Sequence, residues 1–246
     1  MQTLNTLATY LLRILPGLAL VALFLLLIRP QKELRVVLYI LAFVLMRDAM
    51  TPLGLWSLGA TRGFLWIRLR TDPLFLIIFG VLSLGLVAAL YLADRDNREH
   101  LVWLRGNRTR GALIGITGSL VVVAPFLLGY SQVEMGARGG PVSRSLLLPI
   151  LIFALLGNLF EETLFRGYVL SYFEQGQPPL VAGIASGLTF AVCHTFLAIT
   201  VTGVGAPLLV FTLWEGIIAG LVGAKYGVLP ATLTHGGAVF LLSSGL

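Results

Sequence analysis

The chain has 246 residues, of which 57% are hydrophobic and 11% charged, with a formal net charge of +6. A soluble globular domain carries about 25% charged residues, so this composition describes a polytopic membrane protein. The basic residues fall mainly in N-terminal loops, which fits anchoring at anionic headgroups and excludes nucleic-acid binding; the single cysteine, Cys193, excludes an internal disulfide and any CxxC metal or redox motif.

The first apolar segment, about Leu7 to Ile28, has no small-residue cleavage site and reads as a retained membrane helix, with Pro16 as a possible kink. A second helix runs from about Val36 to Met50 and is short for a span of about 20 residues. It ends around Arg47, Asp48 and Pro52. The stretch Leu53 to Arg70 mixes Trp56 and Trp66 with Arg62, Arg68 and Arg70, which suggests an interfacial segment. Helix three, Pro73 to Ala93, and helix four, Gly111 to Tyr130, are uncharged and flank a basic loop.

The last four helices differ. Helix five is expected from about Ser145 to Tyr172, helix six from Leu180 to Thr202, helix seven from Ala206 to Ala224, and helix eight from Val228 to the C-terminus. The fold class is therefore all-α, with about eight transmembrane helices. Residues 1–144 form N-terminal helices and basic loops, and residues 145–246 form the core that carries the site. Charge counts in the loops favour both termini outside. Gly183 with Gly187, and Gly216 with Gly220, have the four-residue spacing that lets helices approach closely.

Ionisable residues inside a bilayer are costly and point to function. Asn158, Glu162 and Arg166 are spaced i, i+4, i+8, so Glu162 can pair with Arg166. Glu161 points about 100° away and has no partner on its own helix. A structural ion pair beside a lumen-facing glutamate is the alternative. Counted from the nearest turns, Glu161, His194, Glu215 and His235 lie roughly 16, 22, 15 and 10 Å deep, within about two turns of one level. Two chemistries follow. Glu161, His194 and His235 could bind a metal such as zinc, although no HExxH spacing supports it. Without a metal, Glu161 would be the general base for a water also held by His194, and His235 would stabilise the oxyanion. Each histidine taken alone reads more simply as a buried residue bonded to a carbonyl. Glu215 is a further participant or, preferably, a hydrogen-bonder in helix packing.

Three motifs carry a family resemblance. Glu161-Glu162-Thr163-Leu164-Phe165-Arg166 is similar to the EExxxR motif of the CAAX-protease and bacteriocin-processing (CPBP, or Abi) family. Phe190 to His194 is similar to its FxxxH motif, and His235 to the histidine of its HxxxN motif. The resemblance covers about Ser145 to Phe240. It implies an intramembrane endopeptidase acting on a membrane-anchored or amphiphilic peptide. In it the residues matching Glu161 and His194 activate water, and the one matching His235 helps form the oxyanion hole. Glu162, Arg166, Asn158, Phe190 and Glu215 stand as supporting residues. No resident cofactor is expected, and the implied partners are the peptide substrate and the lipid bilayer. The implied location is an integral protein of a prokaryotic cell membrane. The chain departs from the family at one position: Val239 stands where HxxxN has asparagine. That departure opens a second reading, a non-catalytic relative that binds a peptide, lipid or partner, as in self-immunity. It also directs attention to Asn158 as a substitute donor. A transporter or channel is a weaker alternative, because no inverted repeat is visible.

Overall fold

A computed structural model describes residues 2–245 of the chain. The outermost residues of the expected N-terminal and C-terminal segments, Met1 and Leu246, lie outside the described residues.

The architecture is all-α apart from one hairpin. Helix α1 spans Gln2–Ile28 and α2 spans Lys32–Asp48. Strands β1 (Trp56–Thr61) and β2 (Phe64–Leu69) follow, then α3 (Pro73–Ala93), the single turn α4 (Arg95–Arg98) and α5 (Arg108–Tyr130). The C-terminal half contains α6 (Leu147–Glu162), a π-helical stretch Thr163–Val169, α7 (Leu170–Glu174) and α8 (Pro179–Cys193). A second π stretch (Leu197–Val201), α9 (Ala206–Tyr226) and α10 (Val228–Ser243) complete the chain. Six helical segments among the described residues are long and apolar enough to cross a membrane; α10 is apolar but shorter.

Local sequence explains the boundaries. Asp72 caps α3 by accepting from the Phe75 N–H, with Pro73 in the first turn where its missing N–H costs nothing. Asn107 caps α5 in the same way through the Arg110 N–H. Gly227, at φ +94°, makes the one-residue turn between α9 and α10; a Cβ there would sit 2.7 Å from the Val102 carbonyl oxygen.

Three expectations need correction. Leu53 to Arg70 contains a β-hairpin, in register from Trp56 opposite Leu69 to Thr61 opposite Phe64. Arg62 and Gly63 both take positive φ, which is the two-residue turn whose twist matches a hairpin. Its inner side chains Leu65 and Ile67 are buried, and the Tyr130 hydroxyl donates to the Leu65 carbonyl. Helix five is not one α-helix, because the chain widens to π geometry immediately after Glu162. Helix six has its expected extent, Pro179–Val201, but it is not one regular α-helix: α8 stops at Cys193, and His194 is a turn residue inside the span.

Packing places the site. Helices α8 and α9 lie along each other at glycine contacts. A Cβ on Gly187 would meet the Gly216 carbonyl carbon at 2.6 Å, and one on Gly220 the Gly183 oxygen at 2.2 Å. Helix α10 is gripped between α5 and α6, and α3 packs along α6. Helix α1 stands apart: only 6% of its apolar window is buried, and Leu12, Leu20, Leu26 and Leu27 face outward as lipid-facing residues do.

Candidate active site

A cavity of about 260 Å³ opens among these helices. Its polar floor comes from α6, α9, α10 and the break after α8: Asn158, Glu161, His194, Thr212, Glu215 and His235 all line it. Its walls are apolar and come from both halves: Leu7 and Ile14 of α1, Ile67 of the hairpin and Phe79 of α3 on one side, and Phe153 of α6 and Leu208 and Phe211 of α9 on the other. Convergent polar groups at the bottom of an apolar cleft are the usual form of a small-molecule or peptide site.

Glu161 and His194 face each other there. His194 Nδ1 lies 2.8 Å from the Phe190 carbonyl oxygen. A carbonyl only accepts, so Nδ1 carries the proton, and the neutral ring presents a bare Nε2. That nitrogen lies 4.0 Å from Glu161 Oε2. Glu161 Oε2 has no hydrogen-bond partner. Two acceptors therefore flank a gap too long for a direct bond and wide enough for one water donating to both. The break at His194 assists, since its backbone N–H turns to the Ala191 carbonyl three residues back, leaving the Phe190 carbonyl to the ring, which lies over Phe190 at 4.2 Å between centroids.

Glu162 lies behind this pair and is fully buried. Its Oε1 accepts from Arg166 Nη1 at 2.8 Å, the expected i, i+4 pair. The same oxygen lies 2.8 Å from His235 Nδ1. Arg166 also donates to the Gly216 carbonyl at 2.8 Å and stacks over Phe190, 4.6 Å from guanidinium carbon to ring centre. Phe190 meets the His235 ring edge-on at 5.3 Å as well. This one phenyl ring thus separates and orients His194, His235 and Arg166, which gives the phenylalanine of the motif a physical role.

His235 Nε2 lies 3.5 Å from Glu215 Oε2, and Glu215 Oε1 has no partner. Glu215 lines the cavity and reaches from α9 to His235 on α10. Both nitrogens of His235 therefore face carboxylates. A metal held by Glu161, His194 and His235 would need one of those nitrogens free, so the donor set does not close as arranged. Among the described residues, no three His, Cys, Asp or Glu side chains gather as a metal-holding group.

Asn158 and Val239 both line the cavity. Asn158 donates one amide hydrogen to the Ala154 carbonyl at 2.6 Å and retains a second. Two polar cavity residues, Thr212 and Arg47, escaped the sequence reading as site residues. Arg47, at the end of α2, is 3% exposed and donates to the Cys193 carbonyl at 2.8 Å, against the residue before His194. Its signal was present: an Arg-Asp pair closing an apolar helix is itself an intramembrane charge.

Residues 143–241 match the family model described as Rce1-like, type II CAAX prenyl endopeptidase Rce1-like. The segment that carries the site is thus similar to the Rce1-like family. This agrees with the CPBP resemblance of the three motifs. No curated protein and no solved structure matches the chain. The Rce1-like segment holds every polar floor residue from Asn158 to His235. Arg47 and the wall residues of α1, the hairpin and α3 lie outside it, whereas Phe153, Leu208 and Phe211 of the wall lie within it. The family is one of proteases and also contains non-catalytic members.

Proposed function

We propose that the protein is an intramembrane endopeptidase that hydrolyses a peptide bond of a membrane-anchored or amphiphilic peptide. The observation that carries this reading is the Glu161–His194 gap: two unpaired acceptors 4.0 Å apart on the floor of an apolar cavity. A water there donates one hydrogen to each. As it attacks the scissile carbonyl, Glu161 takes its proton as general base and later passes it to the leaving amine. His194, fixed by Phe190, orients the water. His235 stabilises the oxyanion through Nε2–H, its imidazolium held from both sides by Glu162 and Glu215. Glu215 is then the partner that keeps the proton on Nε2 until the oxyanion forms. The mechanism uses no metal. The apolar walls accept the body of an amphiphilic substrate arriving from the bilayer.

The test is direct. Purified protein in lipid nanodiscs is incubated with a library of amphiphilic peptides, and new termini are read by mass spectrometry. Cleavage that disappears in Glu161→Gln supports the reading. A protein that binds such peptides with no new termini, under conditions where an Rce1-like enzyme cleaves, supports a non-catalytic binder. Val239 in the cavity wall, where the family motif has an amide donor, favours that second reading.

A further inference from the structure

The helical bundle has two polar faces, each tied together by hydrogen bonds between segments distant in sequence. On the hairpin face, Thr3 Oγ1 donates to Asp72 Oδ2 at 2.6 Å and joins the start of α1 to the start of α3. Arg68 of β2 donates to the Gly140 and Leu242 carbonyls at 3.0 Å each, which adds the stretch before α6 and the end of α10. On the opposite, loop face, Arg35 near the start of α2 donates to Asp96 at 2.5 Å. Arg105 there donates to Glu174 at the end of α7, and its backbone N–H to the Tyr226 carbonyl at the end of α9.

The cavity extends to the hairpin face. Met50, the half-buried Trp56 and Leu58 of β1, and Leu208 in the first turn of α9 all line it. Among the described residues, none from the segments between α1 and α2, α3 and α5, α7 and α8, or α9 and α10 does so. Towards the loop face, Leu101, Leu164, Phe165, Tyr168 and Val228 form a buried apolar layer. That layer is tightly closed where the glutamate-bearing segment crosses it, since a Cβ on Gly167 would sit 2.3 Å from Leu101 Cδ2.

Charge distinguishes the two faces. The loop face carries nine Lys and Arg residues: Arg29, Lys32 and Arg35 around the start of α2, five arginines between 95 and 110, and Lys225. The hairpin face carries five, at 62, 68, 70, 138 and 144. Arg47, which closes α2 towards the hairpin face, is buried inside the bundle, as is Arg166, so neither counts for a face. Assigning Arg13 of α1 to the hairpin face, the nearer one, leaves the excess standing. Short loops rich in Lys and Arg stay on the cytoplasmic side when spans insert.

We propose that the cavity opens on the non-cytoplasmic side of the membrane. Water and any soluble part of a ligand reach Glu161 and His194 from that side. A segment held in the cytoplasm is separated from them by the buried layer. The inference goes beyond the peptidase reading and does not rest on it, because a non-catalytic binder would be oriented in the same way.

The experiment reads orientation without cleavage. In a Cys193→Ala background, Gly136→Cys marks the hairpin face and Gly176→Cys the loop face. Both positions are exposed, and a Cβ at either meets nothing within 4 Å. Val239→Cys places a thiol in the cavity wall. Thermal unfolding is followed for all three. Expressing bacterial cells are treated with a membrane-impermeant maleimide before and after permeabilisation. Gly136→Cys is expected to label in intact cells, whereas Gly176→Cys should lose its labelling there and regain it on permeabilisation. Val239→Cys is treated with a small charged methanethiosulfonate in right-side-out and inverted vesicles, and should react in the right-side-out ones alone. Labelling of Gly176→Cys without Gly136→Cys in intact cells overturns the proposal, as does equal labelling of the two. Reaction of Val239→Cys from the cytoplasmic side, or from neither side in folded protein, overturns it even where the two loop positions behave as expected. Cleavage of added peptides, measured separately, bears on the peptidase reading and leaves the orientation untouched.

Discussion

His235 Nδ1 lies 2.8 Å from Glu162 Oε1, the oxygen that also accepts from Arg166. A single carboxylate thus holds a cation from the next turn of its own segment and a histidine from α10. The two adjacent glutamates consequently differ in what depends on them. Glu161 Oε2 has no hydrogen-bond partner among the described residues, whereas Glu162 is the anchor of two other side chains.

Glu161→Gln is therefore expected to insert, fold and melt like the unsubstituted protein while losing cleavage. Glu162→Gln leaves Arg166 buried without its countercharge, a change that typically costs about 3–5 kcal/mol. Thermal unfolding in detergent, read beside cleavage, separates the two. Early melting of Glu161→Gln with a stable, inactive Glu162→Gln would reverse the assignment.

The helix pair α8–α9 has no room for a methyl group. Gly187→Ala places its Cβ 2.6 Å from backbone of Gly216, and backbone cannot rotate away. Overpacking of this kind costs about 1–3 kcal/mol. Gly157→Ala is the control, since a Cβ there meets nothing within 4 Å. Melting temperatures should fall for Gly187→Ala and stay unchanged for Gly157→Ala.

Cleavage should persist after chelation. The active protein is expected to contain no stoichiometric transition metal, because both ring nitrogens of His235 are turned to Glu162 and Glu215. Elemental analysis of purified active protein, before and after a chelator, checks this. Zinc lost in step with activity would replace the proposed mechanism.

Val239→Asn should not raise kcat. The new amide would enter a largely apolar wall one turn from His235, where an unpaired polar group costs about 1–3 kcal/mol. Asn158→Ala should lower kcat by about a hundred- to a thousandfold if its spare amide hydrogen serves the oxyanion. Steady-state rates of the two variants decide this. A faster Val239→Asn would mean that the position lacks a donor that catalysis wants.

Outside the membrane spans, Asp72 predicts a pH effect. Burial would raise its carboxyl, but hydrogen bonds from Thr3 Oγ1 and the Phe75 N–H hold it below the ordinary aspartate range. A lowered folded-state value contributes stability above about pH 4, which is lost as pH falls through the folded value. Hydrogen exchange at the first turns of α1 and α3 should therefore rise in acid, and in Asp72→Ala it should be high at neutral pH.

Much of the site was legible because it is local. The Glu162–Arg166 pair follows from helical spacing, and the extent of α3, Pro73–Ala93, follows from the uncharged run that its proline opens. What escaped depends on contacts distant in sequence or on local geometry with weak signals. The partner of His235 lies 73 residues away, which no periodicity reveals. The break at His194 is not announced by a glycine or proline. The hairpin had a signal, Arg62-Gly63 between alternating residues, but the density of tryptophan and arginine favoured a membrane-surface reading. Arg47 looked like the charged exit of a short helix because burial is set by neighbours that fold over it.

The wide turns between Thr163 and Val169 fix an angular offset along one continuous segment. Upstream of them lie the glutamates; downstream, Tyr172 donates to Asn97 and Glu174 receives Arg105 through both oxygens. Those two outer clasps bind the segment to the loop that follows α3, so rotation at one end is transmitted to the other. Removing one residue from the stretch would turn the clasps by about 100° relative to the glutamates. Chain length between residues 163 and 169, as much as side-chain identity, thus keeps the two glutamates and the outer clasps in phase.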